Sequence, residues 1–240
     1  MEIRYSAIIL KKKEVGETDR LYVLYTREQG KVQVVAKGVR KGAAKLAGQL
    51  ETLMEGLVII ERGRGSGRIV SAIAELSFPG IRNDMEILRS VLETTNIFER
   101  LVGWEEPDQE LFSLLSRYLF LTNQLAKEKQ REKISLLREG FLFQLFAHLG
   151  YAIETKTCVV SGRKLASGEQ HFFSPSDGGV LSGHHSANVS GIIPISESAI
   201  KCIRLFLSHR LESLVRIRMT REEVLAVGRI TRCFLRWIEG

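Results

Sequence analysis

The hydrophobic pattern of this chain changes period at Pro79-Gly80, and that change limits the folds open to it. Before it, short β-rich apolar runs recur at residues 6–12, 21–26, 31–36, 56–61 and 69–76, separated by Gly16, by Gln29-Gly30 and by a Gly63/Gly65/Gly67 cluster. Five short strands in so few residues fit a small closed barrel, which leaves few open sheet edges. An oligonucleotide-binding (OB) barrel and an SH3-like barrel both satisfy the pattern. After it, apolar residues recur at helical spacing: Ile87, Leu88, Val91, Leu92, Thr95 and Phe98, then Leu111, Phe112, Leu115, Tyr118 and Leu119.

Local chemistry marks the helix ends. Asp108 is placed to cap the second helix, and a third runs from about Arg131 to Leu149 with Gly150 as its stop. Ser196 caps a fourth, and Thr220-x-x-Glu223 is a capping box for a fifth that ends at Trp237. On the third helix Phe141, Phe143, Leu145 and Phe146 read as core. Residues 155–193, rich in Gly, Ser and His, read as an insert of loops and short strands. The expected architecture is α+β: a barrel domain over 1–80 and a helical domain over 81–240 interrupted by that insert.

Charge separates the two ends from the middle. The chain carries a net +7, of which residues 1–80 contribute fourteen Lys and Arg against nine Asp and Glu, a net of +5. Residues 195–240 contribute nine against five, a net of +4. A basic balance of this size favours an anionic partner, most often nucleic acid. The strongest local signal is the segment 36–48 (AKGVRKGAAKLAG), where Lys37, Arg40, Lys41 and Lys45 stand among small residues with no acid. Arg62, Arg64 and Arg68 form a second cluster between strand-like runs. Cations on small-residue loops at strand ends can follow a sugar–phosphate backbone and displace its counterions. These seven are the candidate DNA-binding residues. Tyr5, Tyr22 and Tyr25 are candidate stacking platforms, although residues three apart in a strand face opposite ways, so at most one of Tyr22 and Tyr25 can face DNA.

Other classes find little support. The Gly63-x-Gly65-x-Gly67 run lacks the Lys-Ser/Thr of a phosphate-binding loop. His184-His185 has no carboxylate cluster beside it, and no nucleophile-elbow motif is present. The expectation is a non-enzymatic binding protein. Three scattered cysteines form no disulfide framework. No apolar run approaches the roughly 20 residues of a membrane span, and the N-terminus lacks a signal-peptide pattern, so a cytoplasmic location without membrane partners is expected.

Several segments, in order along nearly the whole chain, resemble the RecO family of bacterial recombination mediators. They are Gly16-Glu17-x-Asp19-Arg20-Leu21, Thr26-Arg27-Glu28-x-Gly30 and Ala36-Lys37-Gly38; then Glu75-Leu76-x-Phe78-Pro79-Gly80-Ile81-Arg82; then Leu149-Gly150-Tyr151, Cys158 and Phe173-Ser174-Pro175-x-x-Gly178-Gly179. The resemblance implies an OB-type barrel, a helical bundle and a small zinc-finger-like insert. It implies DNA repair and homologous recombination, with binding of single- and double-stranded DNA, strand annealing and recombinase loading, near the nucleoid. It further implies partnership with RecR and with the acidic C-terminal tail of single-stranded DNA-binding protein, and indirect links to RecF and RecA. One departure is clear: the family's paired Cys-x-x-Cys slots read Cys158, Ser161, Ser182 and His185 here, with His184 adjacent. Serine is a poor ligand for structural zinc, so no cofactor is expected and zinc is predicted lost. The competing expectation is a protein-interaction scaffold whose barrel binds no DNA.

Overall fold

The computed structural model describes residues 1–39, 46–62 and 67–240, which fall into two compact units, Met1–Lys129 and Gln130–Gly240. The fold is α+β, as expected. In the first unit β1 (Glu2–Val15), β2 (Asp19–Thr26), β3 (Gly30–Ala36), β4 (Glu55–Glu61) and β5 (Arg68–Leu76) close a barrel in the order β1-β2-β3-β5-β4. Closure comes from β1 pairing antiparallel with β4 and from a single parallel contact between β3 and β5, Val35 opposite Arg68. This is the strand order of an OB-type barrel. Inward-facing Tyr22, Leu24, Val32, Val34, Val58, Ile60 and Ile69 fill it.

β1 extends well beyond the run the alternation marks. A bulge between Ile9 and Lys11 lets it turn and continue as a hairpin arm with β2, pairing as far as Val15 with Asp19. The bulge inserts the buried Leu10 and resets which side chains face out.

The short α1 (Pro79–Arg82) follows Phe78, a buried residue held at φ 50. Gly80 donates its N–H to Asn123 Oδ1 at 2.8 Å, drawing α1 against α3 (Gln109–Lys127). Asp84 caps α2 (Met85–Leu101), and Asp108 caps α3 by accepting from Glu110 and Leu111. Both helices deliver aromatic rings to the outside of the barrel. Phe98 meets Tyr25 edge-on at 4.8 Å and Phe112 lies parallel to it at 6.5 Å.

In the second unit α4 (Arg131–His148) ends at Gly150 (φ 90), where the Tyr151 N–H reaches back to Phe146 O at 2.8 Å. That six-residue closure and the left-handed glycine are a Schellman stop. α4 packs with α5 (Glu197–Ser208), α6 (Leu211–Leu214) and α7 (Arg221–Glu239) through Phe141, Phe143, Phe146, Phe206 and Phe234. Ser196 caps α5, and the Thr220/Glu223 capping box opens α7. The insert holds a three-stranded sheet, β7-β6-β8, from β6 (His171–Ser174), β7 (Gly179–Ser182) and β8 (Ile193–Ile195). Among the described residues no helix is long and apolar enough to cross a membrane.

Candidate nucleic-acid interface

The register of the barrel brings distant cations to one face. Lys13 lies opposite Leu21, Leu21 opposite Val35, and Val35 opposite Arg68, so a single row crosses β1, β2, β3 and β5. Beside it, Lys11 pairs with Val23 and Val23 with Gln33. The alternate residues Tyr22, Val34 and Ala36 belong to the barrel core, so this row faces outward. Lys11, Lys13, Lys37 and Arg68 are all exposed. Lys12, between the two lysines, points to the other side and pairs with Glu51.

The turn that carries Lys37 is held from β2. Asp19 accepts the Gly38 N–H on Oδ1 at 2.8 Å and the Thr18 hydroxyl at 2.9 Å. Gly38 sits at φ 67, which favours glycine. Asp19 and the Ala36-Lys37-Gly38 segment are thus one device that positions a cation at the end of β3. Arg20 reaches Glu14 at 3.7 Å, so the Asp19-Arg20 pair is structural.

Not every predicted cation converges. Arg68 stands opposite Val35 across the β3–β5 seam, where the Val35 N–H donates to Gly67 O at 3.1 Å, and Lys37 follows two residues after Val35. Arg62 instead turns to Gln29 Oε1 at the β2–β3 turn, an oxygen that also accepts from the Tyr5 hydroxyl at 2.6 Å. Arg40, Lys41, Lys45 and Arg64 lie outside the described residues.

The stacking expectation needs correction. Tyr22 and Tyr25 do face opposite ways, but Tyr22 fills the barrel and Tyr25 lies beneath Phe98 and Phe112; Tyr5 is buried too. None presents a ring face. The half of the outer β2–β3 surface that includes Tyr25 is roofed by α2 and α3. The same roof buries Lys31, whose ammonium lies 4.4 Å over the Trp104 ring and donates to Glu99 O. Burial lowers its pKa, and the Glu99 charge opposes that shift. Sequence reasoning missed Lys11 and Lys13, because their outward placement depends on the register shift between Ile9 and Lys11.

The second unit offers a different surface. Arg131, Glu132, Ser135 and Arg221 line a groove together with Met219, Val224 and the exposed Leu225. In the insert, three of the four family zinc slots meet at Cys158. Burial acts to raise its thiol pKa. Hydrogen bonds from the Ser161 hydroxyl and the backbone N–H groups of Ser182, Ser161 and Val160 outweigh burial and bring it down from 9.0 to about 7. Ser182 Oγ lies 4.0 Å from the sulfur. One thiol among hydroxyls and N–H donors does not fit a tetrahedral zinc ion, which takes thiolate and imidazole ligands. Among the described residues no three His, Cys, Asp or Glu side chains are grouped to hold a metal.

Two family models match this chain end to end: Recombination protein O N terminal over residues 1–77 and Recombination protein O C terminal over residues 83–238. Curated relatives named DNA repair protein RecO align along most of it. The protein from Dehalococcoides mccartyi is 28% identical over 99% of this chain and 90% of its own length. That from Trichodesmium erythraeum is 31% identical over 81% of this chain and 66% of its own, and that from Desulfitobacterium hafniense 26% identical over 92% and 81%.

Proposed function

This chain belongs to the recombination protein O family and acts in DNA repair and recombination, and we propose that it does so by holding DNA strands through their phosphates on the open barrel face. The observation that carries the reading is the outward row Lys13–Leu21–Val35–Arg68, with Lys11 and Lys37 beside it. Phosphate contacts position a strand without reading its sequence, so both single- and double-stranded DNA are accepted. Screening two polyanions while leaving base edges free promotes annealing. The role is one of binding: no step in it makes or breaks a covalent bond. With RecR, and with only indirect links to RecF and RecA, such a surface would help load recombinase on DNA coated by single-stranded DNA-binding protein.

The test is fluorescence anisotropy of a labelled oligonucleotide across a salt series. About five engaged cations give a single-strand slope of roughly −3 to −4 in log affinity against log salt. Binding without salt dependence would overturn the phosphate reading. The scaffold reading draws on an exposed apolar pair, Leu57 and Ile73, which are cross-strand partners on β4 and β5. It gains if wild-type protein binds no oligonucleotide at low salt.

The groove between Arg131 and Arg221 is our proposed dock for the acidic tail of single-stranded DNA-binding protein. Its apolar residues beside Arg221 and Arg131, set against one acid, Glu132, suit an acidic peptide with apolar side chains. Arg221→Glu combined with Leu225→Ala should weaken a tail peptide by about tenfold or more in calorimetry, with oligonucleotide binding at the barrel little changed. Unchanged peptide affinity would place the dock elsewhere.

We also propose that the insert folds without zinc, its former ligand slots rebuilt as a hydrogen-bonded thiolate. The folded pKa of Cys158 is depressed, so its stabilising contribution is full above about pH 9 and is lost as pH falls through about 7. The stability advantage of wild type over Cys158→Ala should therefore grow between pH 6 and pH 9, by on the order of 2 kcal/mol. A pH-independent difference, or one stoichiometric zinc in the purified protein, would contradict this.

A further inference from the structure

The C-terminal helix carries four arginines and three glutamates, and the acids stand at its two ends. From residue 224 to 238 it holds Arg229, Arg232 and Arg236 and no acid. At 100° per residue these three fall within an arc of about 60°, and Arg229 and Arg236 lie roughly 10 Å apart along the axis. The opposite side is the buried one, with Val227, Ile230, Thr231 and Phe234. Solvated helix faces usually mix signs so that residues three and four apart attract. Here Arg229, Arg232 and Arg236 set like charges side by side, offset only at the helix end by Glu239 three residues past Arg236, an arrangement that an external anion would relieve. Among the described residues neither Arg229 nor Arg236 is held in an ion pair.

Two large aromatic side chains stand exposed at the end of this helix. Trp237 is 46% exposed and lies flat on Phe234, with ring planes 2° apart and centroids 5.8 Å apart. Phe234 itself is buried and fixed edge-on by Phe146 at 5.6 Å and Phe173 at 5.5 Å. Tyr151, 38% exposed, stands perpendicular to the indole with ring centroids 6.5 Å apart, and the helix stop at Gly150 sets its backbone. The indole is therefore propped from beneath by rigid core. An exposed indole beside guanidinium groups matches the two things a single strand offers, π-faces and phosphates.

We infer that α7 forms a second strand-holding surface, specific for single-stranded nucleic acid, in which Trp237 stacks a base, Tyr151 stands perpendicular beside it, and Arg229 and Arg236 hold the flanking phosphates. This inference rests on the DNA-binding reading above and adds a site in the other unit. Annealing brings two strands together, and a second surface allows one to be held while the barrel holds the other.

The experiment uses the full chain with Trp104→Phe, which leaves Trp237 as the sole tryptophan. Its emission is followed as a thymidine oligonucleotide is added, with anisotropy of a labelled strand read in parallel. Stacking quenches the emission, and added salt or Arg229→Ala with Arg236→Ala removes the quench. Trp237→Leu slows annealing by about tenfold, as the loss of one stacked base predicts, and Trp237→Phe restores most of it. The two arginines lie on the solvent face, so their variant carries the test should Trp237→Leu fail to fold. Emission that stays constant while anisotropy saturates, or wild-type annealing by the arginine variant, overturns the second surface alone. Absence of any anisotropy change in the wild type removes the DNA-binding reading and this inference with it.

Discussion

Reversing Lys11, Lys13 and Lys37 to glutamate together is expected to weaken single-stranded DNA binding by about two orders of magnitude at low salt. The three lysines are exposed on one outer face of the barrel, two on the β1 arm and one on the turn after β3. Each lost phosphate contact also removes about 0.7 from the salt slope, so the slope should become less negative by roughly 2. Surface substitutions away from caps and packed groups usually move stability by only about 0.5 kcal/mol, so the variant should keep its thermal midpoint. Lys12→Glu is the matched control. It sets a like charge against Glu51 on the other face, and should lower stability slightly while leaving the slope intact. Wild-type affinity in the triple variant would remove the phosphate-reading surface from this face.

Gly30→Ala is expected to produce the largest loss of stability of any single methyl addition in the first unit. Gly30 sits at φ 68, and a Cβ there would lie 2.0 Å from the backbone oxygen of Glu106. No rotamer change relieves a contact with backbone. The β2–β3 turn is further pinned by Thr26, whose hydroxyl donates to Gly30 O and accepts the Gln29 N–H, each at 3.0 Å. Left-handed strain plus displacement of the α2–α3 loop should cost about 3 kcal/mol and lower the midpoint by about 10 °C. Gly16→Ala provides the comparison. Its φ of 62 is similar, but nothing lies within 4 Å, so only the backbone strain of about 1 kcal/mol remains. Equal losses from the two substitutions would refute the role of the Glu106 contact.

Helix caps and central strands were legible because their causes are local. Asp108, Ser196 and the Thr220/Glu223 box satisfy N–H groups two or three residues away, so composition and spacing suffice to find them. The runs at residues 21–26 and 31–36 become β2 and β3 because alternation of period two is a property of neighbouring residues. Phe141, Phe143 and Phe146 are buried, as read. The Thr26-Arg27-Glu28-x-Gly30 signature, visible only as a resemblance, proves to be turn chemistry: Glu28 accepts the Ser6 N–H and Arg27 lies over the Phe112 ring at 4.7 Å.

What escaped was set by residues far apart in sequence. The β1 arm depends on a bulge at Leu10, which no periodicity announces. Tyr25 lost its place as a stacking platform to Phe98 and Phe112, more than seventy residues downstream. By itself, then, the sequence determined the α+β class, the helix ends, the family and the basic character of both termini, because each follows from local spacing or summed charge. Only the tertiary structure decided which cations act together. Lys13 and Arg68 become members of one row through strand register, and register follows from which side chains fill the barrel.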